Sequence, residues 1–179
     1  MLGRPKYARN AADLYETPEW CTEVLCRHVK LTHVWEPACG PGKMVAVLRP
    51  HALSVRSSDM VDYGWAHEVR GFLECQEPWT GEIVTNPPYS IATEFVRHAL
   101  DLVKGNRGSK VAMLLRNEWD CAGSERPDLF AECPHFAKKI VLTRRPRWIA
   151  GTTGSPRHNY AWFVWEIGRN APPEIVYDQ

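Results

Sequence analysis

Asn86 and Tyr89 flank two consecutive prolines at the point where an apolar run gives way to helical spacing, EIVTNPPYSIATEF, residues 82–95. An amide, two stiff rings and a phenol at one junction suit the handling of a flat amino group. The exocyclic amino group of a base such as adenine is a poor nucleophile, because its lone pair is delocalised into the ring. Two carbonyl acceptors, the Asn86 side chain and the Pro87 backbone, would hold both amino hydrogens, favour a tetrahedral nitrogen and stabilise charge developing on it. The rings of Pro87 and Pro88 fix the backbone that carries these acceptors. Tyr89 offers a face on which an extruded base can stack. The bland alternative is a stiff strand-to-helix linker, and the position after a buried strand argues against it.

A second turn carries complementary chemistry. In EPACGPG, residues 36–42, Gly40 and Gly42 let backbone approach a ligand closely ahead of a helix, and Glu36 can meet a ligand ammonium or organise the loop. Taken singly, many such turns merely connect elements. Asp59 adds weight, since an acid about 20 residues past a glycine turn is placed to accept from ribose hydroxyls. Its plain alternative is a helix cap. Together these features point to a nucleoside-bearing cofactor. No G-x-G-x-x-G and no Gly-Lys-Ser/Thr is present, which disfavours NAD and ATP.

The elements that must position these turns alternate. Thr17-Pro18-Glu19 reads as a helix start with Thr17 as N-cap, and Trp20, Val24 and His28 then share a face. Strands are expected at 32–37, 52–59, 82–86, 110–116, 138–143 and 159–167, the last two close enough to pair as a hairpin. Helices are expected from Lys43 to Leu48 and along the stripe Ile91, Phe95, Ala99, Leu102 and Val103, which Gly105 would terminate. The pattern implies an α/β fold with a mostly parallel sheet covered on both faces and a C-terminal antiparallel hairpin. Ligands bind such sheets outside the carboxyl ends of the strands, where the strand order switches. If the strands at 32–37 and 82–86 are neighbours, both unusual turns fall in one site.

Bulk properties narrow the class. A chain of 179 residues fits a single domain, 1–179, with 44% hydrophobic and 24% charged residues. No apolar run reaches the roughly 20 residues of a membrane span, and the N-terminal residues lack the apolar centre of a signal peptide, so a cytoplasmic protein is expected. The six cysteines contain no C-x-x-C pair, so reduced thiols and no metal are expected. Net charge is +1, yet residues 133–165 contain no Asp or Glu and carry Lys138, Lys139, Arg144, Arg145, Arg147 and Arg157. Such one-sided charge is either a footprint for phosphates or a solvated basic face.

Four blocks, DLYETPEW (13–20), VWEPACGPG (34–42), SSDM (57–60) and TNPPYS (85–90), resemble in order the motifs of AdoMet-dependent amino-methyltransferases. The likeness is greatest to the adenine-N6 DNA methyltransferases of restriction–modification systems and bacteriophages. RPRW (145–148) and NYAWFVW (159–165) are similar to the closing hairpin of small phage-type members. The resemblance implies a Rossmann-like class I methyltransferase fold with a seven-stranded sheet. It implies S-adenosyl-L-methionine as cofactor, released as S-adenosyl-L-homocysteine, and methylation of adenine N6 in DNA. Thr17 at its helix N-terminus would bind the methionine carboxylate. Glu36, Pro37, Ala38, Cys39, Gly40 and Gly42 would surround the methionine and sulfonium part, and Asp59 would hold the ribose. Tyr15, Pro18, Met60, Phe72 and Asn86 complete the implied cofactor set. Asn86, Pro87, Pro88 and Tyr89 take the catalytic roles derived above.

Two features depart from the family. Gly71 stands where an acid commonly precedes Phe-Leu and reads the cofactor adenine, so backbone near Phe72, Glu74 or Cys75 would substitute. There is also no room for a target-recognition domain, which leaves only the segments 117–136 and 149–158 to contact sequence. Weak or short sequence preference is expected, or recognition through a homodimer. Arg116, Arg144, Arg145, Arg147 and Trp148 would contact nucleic acid, the guanidinium groups on phosphates and the indole by stacking. RNA adenine-N6 methylation, and a catalytically silent AdoMet-fold binding module, are the competing readings.

Overall fold

The computed structural model describes residues 15–121, 124–148 and 157–178. Among the described residues, eight strands form one sheet: β1 (His33–Glu36), β2 (Ser54–Asp59), β3 (Glu68–Val69), β4 (Glu82–Thr85), β5 (Lys110–Arg116), β6 (Phe136–Val141), β7 (Tyr160–Glu166) and β8 (Glu174–Tyr177). Their order is β3-β2-β1-β4-β5-β7-β6-β8. The central pairs are parallel, whereas β7 runs antiparallel to both β5 and β6. The expected hairpin is present, and the sheet has eight strands where seven were expected. The two strands absent from the sequence reading are β3, two residues long, and β8, which lies parallel to β6 at the edge.

Two apolar layers cover the sheet. Along β5 the side chains alternate: Val111, Met113 and Leu115 face one cluster, and Ala112 and Leu114 face the other. The first cluster packs against α3 (Ala92–Val103) through Phe95, Val96, Ala99 and Leu102. The second packs against α1 (Glu19–His28) and α2 (Lys43–Leu48) through Val24, Leu25, Met44 and Leu48. A strand buried on both faces reads as a continuous apolar run, which is why 110–116 is plain in the sequence. Among the described residues, no helix is long and apolar enough to cross a membrane.

The start of α1 differs from expectation by one residue. Pro18 is the N-cap, and no side-chain hydrogen bond caps the helix. The Thr17 hydroxyl instead accepts from the Asn86 amide. The buried face of α1 is Cys21, Thr22, Val24 and Leu25, with Trp20 and His28 only half-buried at its margins. Gly105 lies just beyond α3 but takes no positive φ; Gly108, three residues on, does, at 85°.

Candidate functional site

β1 and β4 are parallel neighbours, with Val34 opposite Glu82 and Trp35 opposite Ile83. Their carboxyl ends therefore deliver the Pro37–Gly42 turn and the Asn86–Tyr89 turn to one place, at the switch in strand order. The two turns are joined chemically. Glu36, buried at the end of β1, accepts from the Ala38 amide at 3.1 Å and from the hydroxyl of Thr85, the last residue of β4.

Asp59 ends β2 and builds the glycine turn from the other side. Its Oδ2 accepts from the Gly40 amide at 2.9 Å and its Oδ1 from the Val61 amide at 3.0 Å. Its side chain is buried. Gly40 and Gly42 both have positive φ, 50° and 85°. At Gly42 a Cβ would come within 2.4 Å of the Trp65 ring. Trp65 thus packs directly on the turn, and the Arg49 guanidinium lies 5.5 Å from the centre of its ring.

Between the turns lies a small cavity of about 30 Å³, its mouth open to solvent. Tyr15, Thr17, Glu36, Ala38, Cys39, Gly40 and Asn86 line it, all of them expected cofactor contacts. Glu16, Pro41, Lys43 and Met44 line it too and were missed. Glu16, Pro41 and Lys43 each lie beside an expected residue in the chain and Met44 lies two residues past Gly42; Glu16 and Lys43 form an ion pair of 3.0 Å at the cavity. Pro18, Pro37, Gly42, Asp59 and Met60 are not in the cavity wall. Asp59 was expected to face a ribose; here its carboxylate accepts from the Gly40 and Val61 amides.

Phe72 was also an expected cofactor contact. It is buried in the core, its ring 5.3 Å from Trp35 and 4.9 Å from Phe95, and it does not line the cavity. Cys75 is buried in the same cluster, and only Glu74, beside Gly71, is exposed. Trp65 was also missed, because no local pattern marks a residue after β2 as the cover of the turn after β1.

Asn86 is held at both ends. Its Nδ2 donates to Thr17 Oγ1 at 3.1 Å, and its Oδ1 accepts from the Tyr89 hydroxyl at 2.9 Å. Burial, and then the neighbouring Tyr160 phenol, push the Tyr89 hydroxyl well above the ordinary phenol range, so it remains a donor throughout the neutral range. The ring of Tyr89 is not an open stacking face here. It lies 5.9 Å from Tyr160 and 6.5 Å from Trp148, edge to face with the latter.

Trp148 joins this site to the basic segment. It packs on Tyr160 at 4.9 Å, and Tyr15 lies 6.1 Å away. Arg144, Arg145 and Arg147 precede it and are exposed, as is Arg116 at the end of β5. Arg144 lies over the Trp20 ring at 4.4 Å, and Arg145 donates to Asn159 at 2.8 Å. β5 and β6 are each antiparallel to β7, so these arginines sit at the same end of the sheet as Asn86. The two lysines do not join them. Lys138 pairs with Glu174 at 3.6 Å, and Lys139 with Asp120 at 2.8 Å. The basic footprint is therefore smaller than the charge count suggested. The expected contact segment 149–158 lies outside the described residues except for Arg157 and His158. Among the described residues, no group of three or more His, Cys, Asp or Glu could hold a metal ion.

The fold is that of the class I AdoMet-dependent methyltransferases. A modification subunit of a putative type I restriction enzyme from Vibrio vulnificus superposes with a TM-score of 0.63 at 14% identity, covering 94% of this chain. This chain spans about half, 47%, of that subunit. A putative class I S-adenosylmethionine-dependent methyltransferase from Listeria monocytogenes gives 0.58 at 12% identity, over 96% of this chain and 67% of its own. The 23S rRNA methyltransferase ErmE gives 0.62 at 16% identity, over 89% and 71%. No protein-family model and no curated protein matches the sequence.

Proposed function

We propose that this protein transfers the methyl group of S-adenosyl-L-methionine to the N6 amino group of adenine in DNA, with low sequence specificity. The observation that carries the reading is the position of Asn86. Its amide lines the same cavity as Glu36 and the glycine turn, so an acceptor for an amino group and a pocket for a charged amino-acid head are one space.

The residues present fit the cofactor. The cavity places a buried carboxylate, Glu36, and the Thr17 hydroxyl beside backbone that Gly40 lets come close. Thr17 at the start of α1 would take the carboxylate of the methionine part, and Glu36 its ammonium. When bound, the cofactor supplies an electrophilic methyl on a sulfonium. Asn86 Oδ1 and the Pro87 carbonyl accept the two amino hydrogens and orient the lone pair. Tyr89, released from Asn86, stacks on the extruded base. Arg116, Arg144, Arg145 and Arg147 hold the strand by its phosphates, and Trp148, edge to face with Tyr89, stacks on a base.

RNA is the second reading, since the solved structures of similar fold include an rRNA methyltransferase. Methyl transfer from labelled AdoMet to double-stranded DNA, single-stranded DNA and RNA in parallel tests both, with products identified by nucleoside mass spectrometry. N6-methyladenine in DNA supports the proposal, and the same base in RNA alone transfers it to the second reading. Asn86→Ala should nearly abolish turnover and leave cofactor binding largely intact. Equal activity in that variant would remove the role given to Asn86.

A further inference from the structure

An asparagine amide is nearly symmetric in shape and opposite in chemistry at its two ends. Turned by half a rotation about its last bond, Asn86 would present NH2 to the substrate amino group, a donor facing a donor. Something must keep Oδ1 toward the substrate. Among the described residues two hydroxyls bond to the amide: Tyr89 on Oδ1 and Thr17 on Nδ2. The Tyr89 contact occupies the very acceptor that the substrate needs, so it must be given up at engagement. Of these two, Thr17 is the one that can hold the amide throughout turnover. It is 5% exposed, and it stands both in the cavity wall and at the residue preceding the N-cap of α1.

A hydroxyl can donate or accept, so Thr17 by itself would tolerate either orientation of the amide. An anion changes that. Once the Thr17 hydrogen is given to a carboxylate, its oxygen can only accept, and only the Nδ2 end of Asn86 can face it. We infer that Thr17 is a positioning residue that lets the amino-acid carboxylate of the cofactor set the polarity of the Asn86 amide. The inference rests on the reading of Asn86 as the amino-group acceptor, and it goes beyond that reading by coupling occupancy of one subsite to the chemistry of the next.

The first test needs no turnover. The side-chain amide of Asn86 is assigned by NMR from the signal lost in Asn86→Asp, and its hydrogen exchange is followed. S-adenosyl-L-homocysteine, which carries the carboxylate, should slow exchange in the wild type. Methylthioadenosine, which lacks the whole amino-acid head, should not. In Thr17→Val, nearly the same shape without the hydroxyl, neither ligand at saturation should slow it, and Thr17→Ser should recover most of the effect.

The second test is a double-mutant cycle on single-turnover rate at saturating cofactor. An ionised carboxylate has acceptors at both ends and needs no orienting. Thr17→Val should therefore cost about tenfold in the wild type and less than about twofold in the Asn86→Asp background. Equal protection by both ligands, or a fully additive cycle, would overturn the inference. Failure of the parent reading looks different: no methyl transfer by the wild type, or undiminished transfer by Asn86→Ala.

Discussion

Thr85 Oγ1 donates to Glu36 Oε1 across the adjoining ends of β4 and β1, with both side chains buried, at 0% and 1% exposure. This bond ties the two functional turns at their roots. Thr85→Val keeps the shape and removes the donor, leaving a buried carboxylate oxygen short of a partner. The expected cost is about 1–3 kcal/mol of stability, with a parallel loss of cofactor affinity as Glu36 is freed to move. Chemical denaturation and ligand titration on the same preparation check both. Unchanged affinity in a destabilised variant would show that the bond supports the fold and not the cavity.

Gly42 is the position where backbone freedom and space are both demanded. Its φ of 85° and a Cβ placed 2.4 Å from Trp65 oppose any side chain. Gly42→Ala should cost about 1 kcal/mol through backbone strain and a further 1–3 kcal/mol through overpacking. Adding Trp65→Ala should restore the packing part only. Thermal unfolding of the single and double variants separates the two, and full rescue would show that strain at this residue is negligible.

The arginines and lysines of the basic segment should behave differently in salt. If Arg144, Arg145 and Arg147 meet phosphates, replacing any one by Gln lowers the slope of log affinity against log salt by about one. Lys139→Gln should leave the slope unchanged, because its ammonium is already held by Asp120. Binding isotherms over a series of salt concentrations decide this. A reduced slope for Lys139→Gln would place the nucleic acid across the end of β6 nearer that lysine.

The legible parts of the chain were those written in local pattern. β5 and α2 run over the residues their apolar spacing marks, and the adjacency of β1 and β4 follows from the general topology of alternating strands and helices. β8 escaped because an edge strand with Ile175 66% exposed and Tyr177 56% exposed has no buried face to announce it. Thr17 was read as a helix cap because its real partner lies 69 residues away. Asp59 and Phe72 show the same limit. A motif position gives a residue's neighbourhood, but whether it faces a cavity, a backbone amide or the core is settled by packing from other elements.

Tyr89 and Asn86 supply the last prediction, because their bond must break before the site can work. The phenol donates to Asn86 Oδ1 at 2.9 Å and, held well above its ordinary pKa by burial, does not vacate that position by ionising. Engagement of the substrate therefore opposes a net hydrogen bond worth about 1 kcal/mol. Tyr89→Phe retains the ring for stacking and removes the competitor. Its single-turnover rate should rise by up to about fivefold, while stability against denaturant falls by about 1 kcal/mol. Tyr89→Ala, which removes the stacking face as well, should be slower than either. The pair of variants separates the two functions of one side chain: a Phe variant as slow as the Ala variant would mean that the hydroxyl acts on the substrate itself, and that its bond to Asn86 is part of the reactive arrangement.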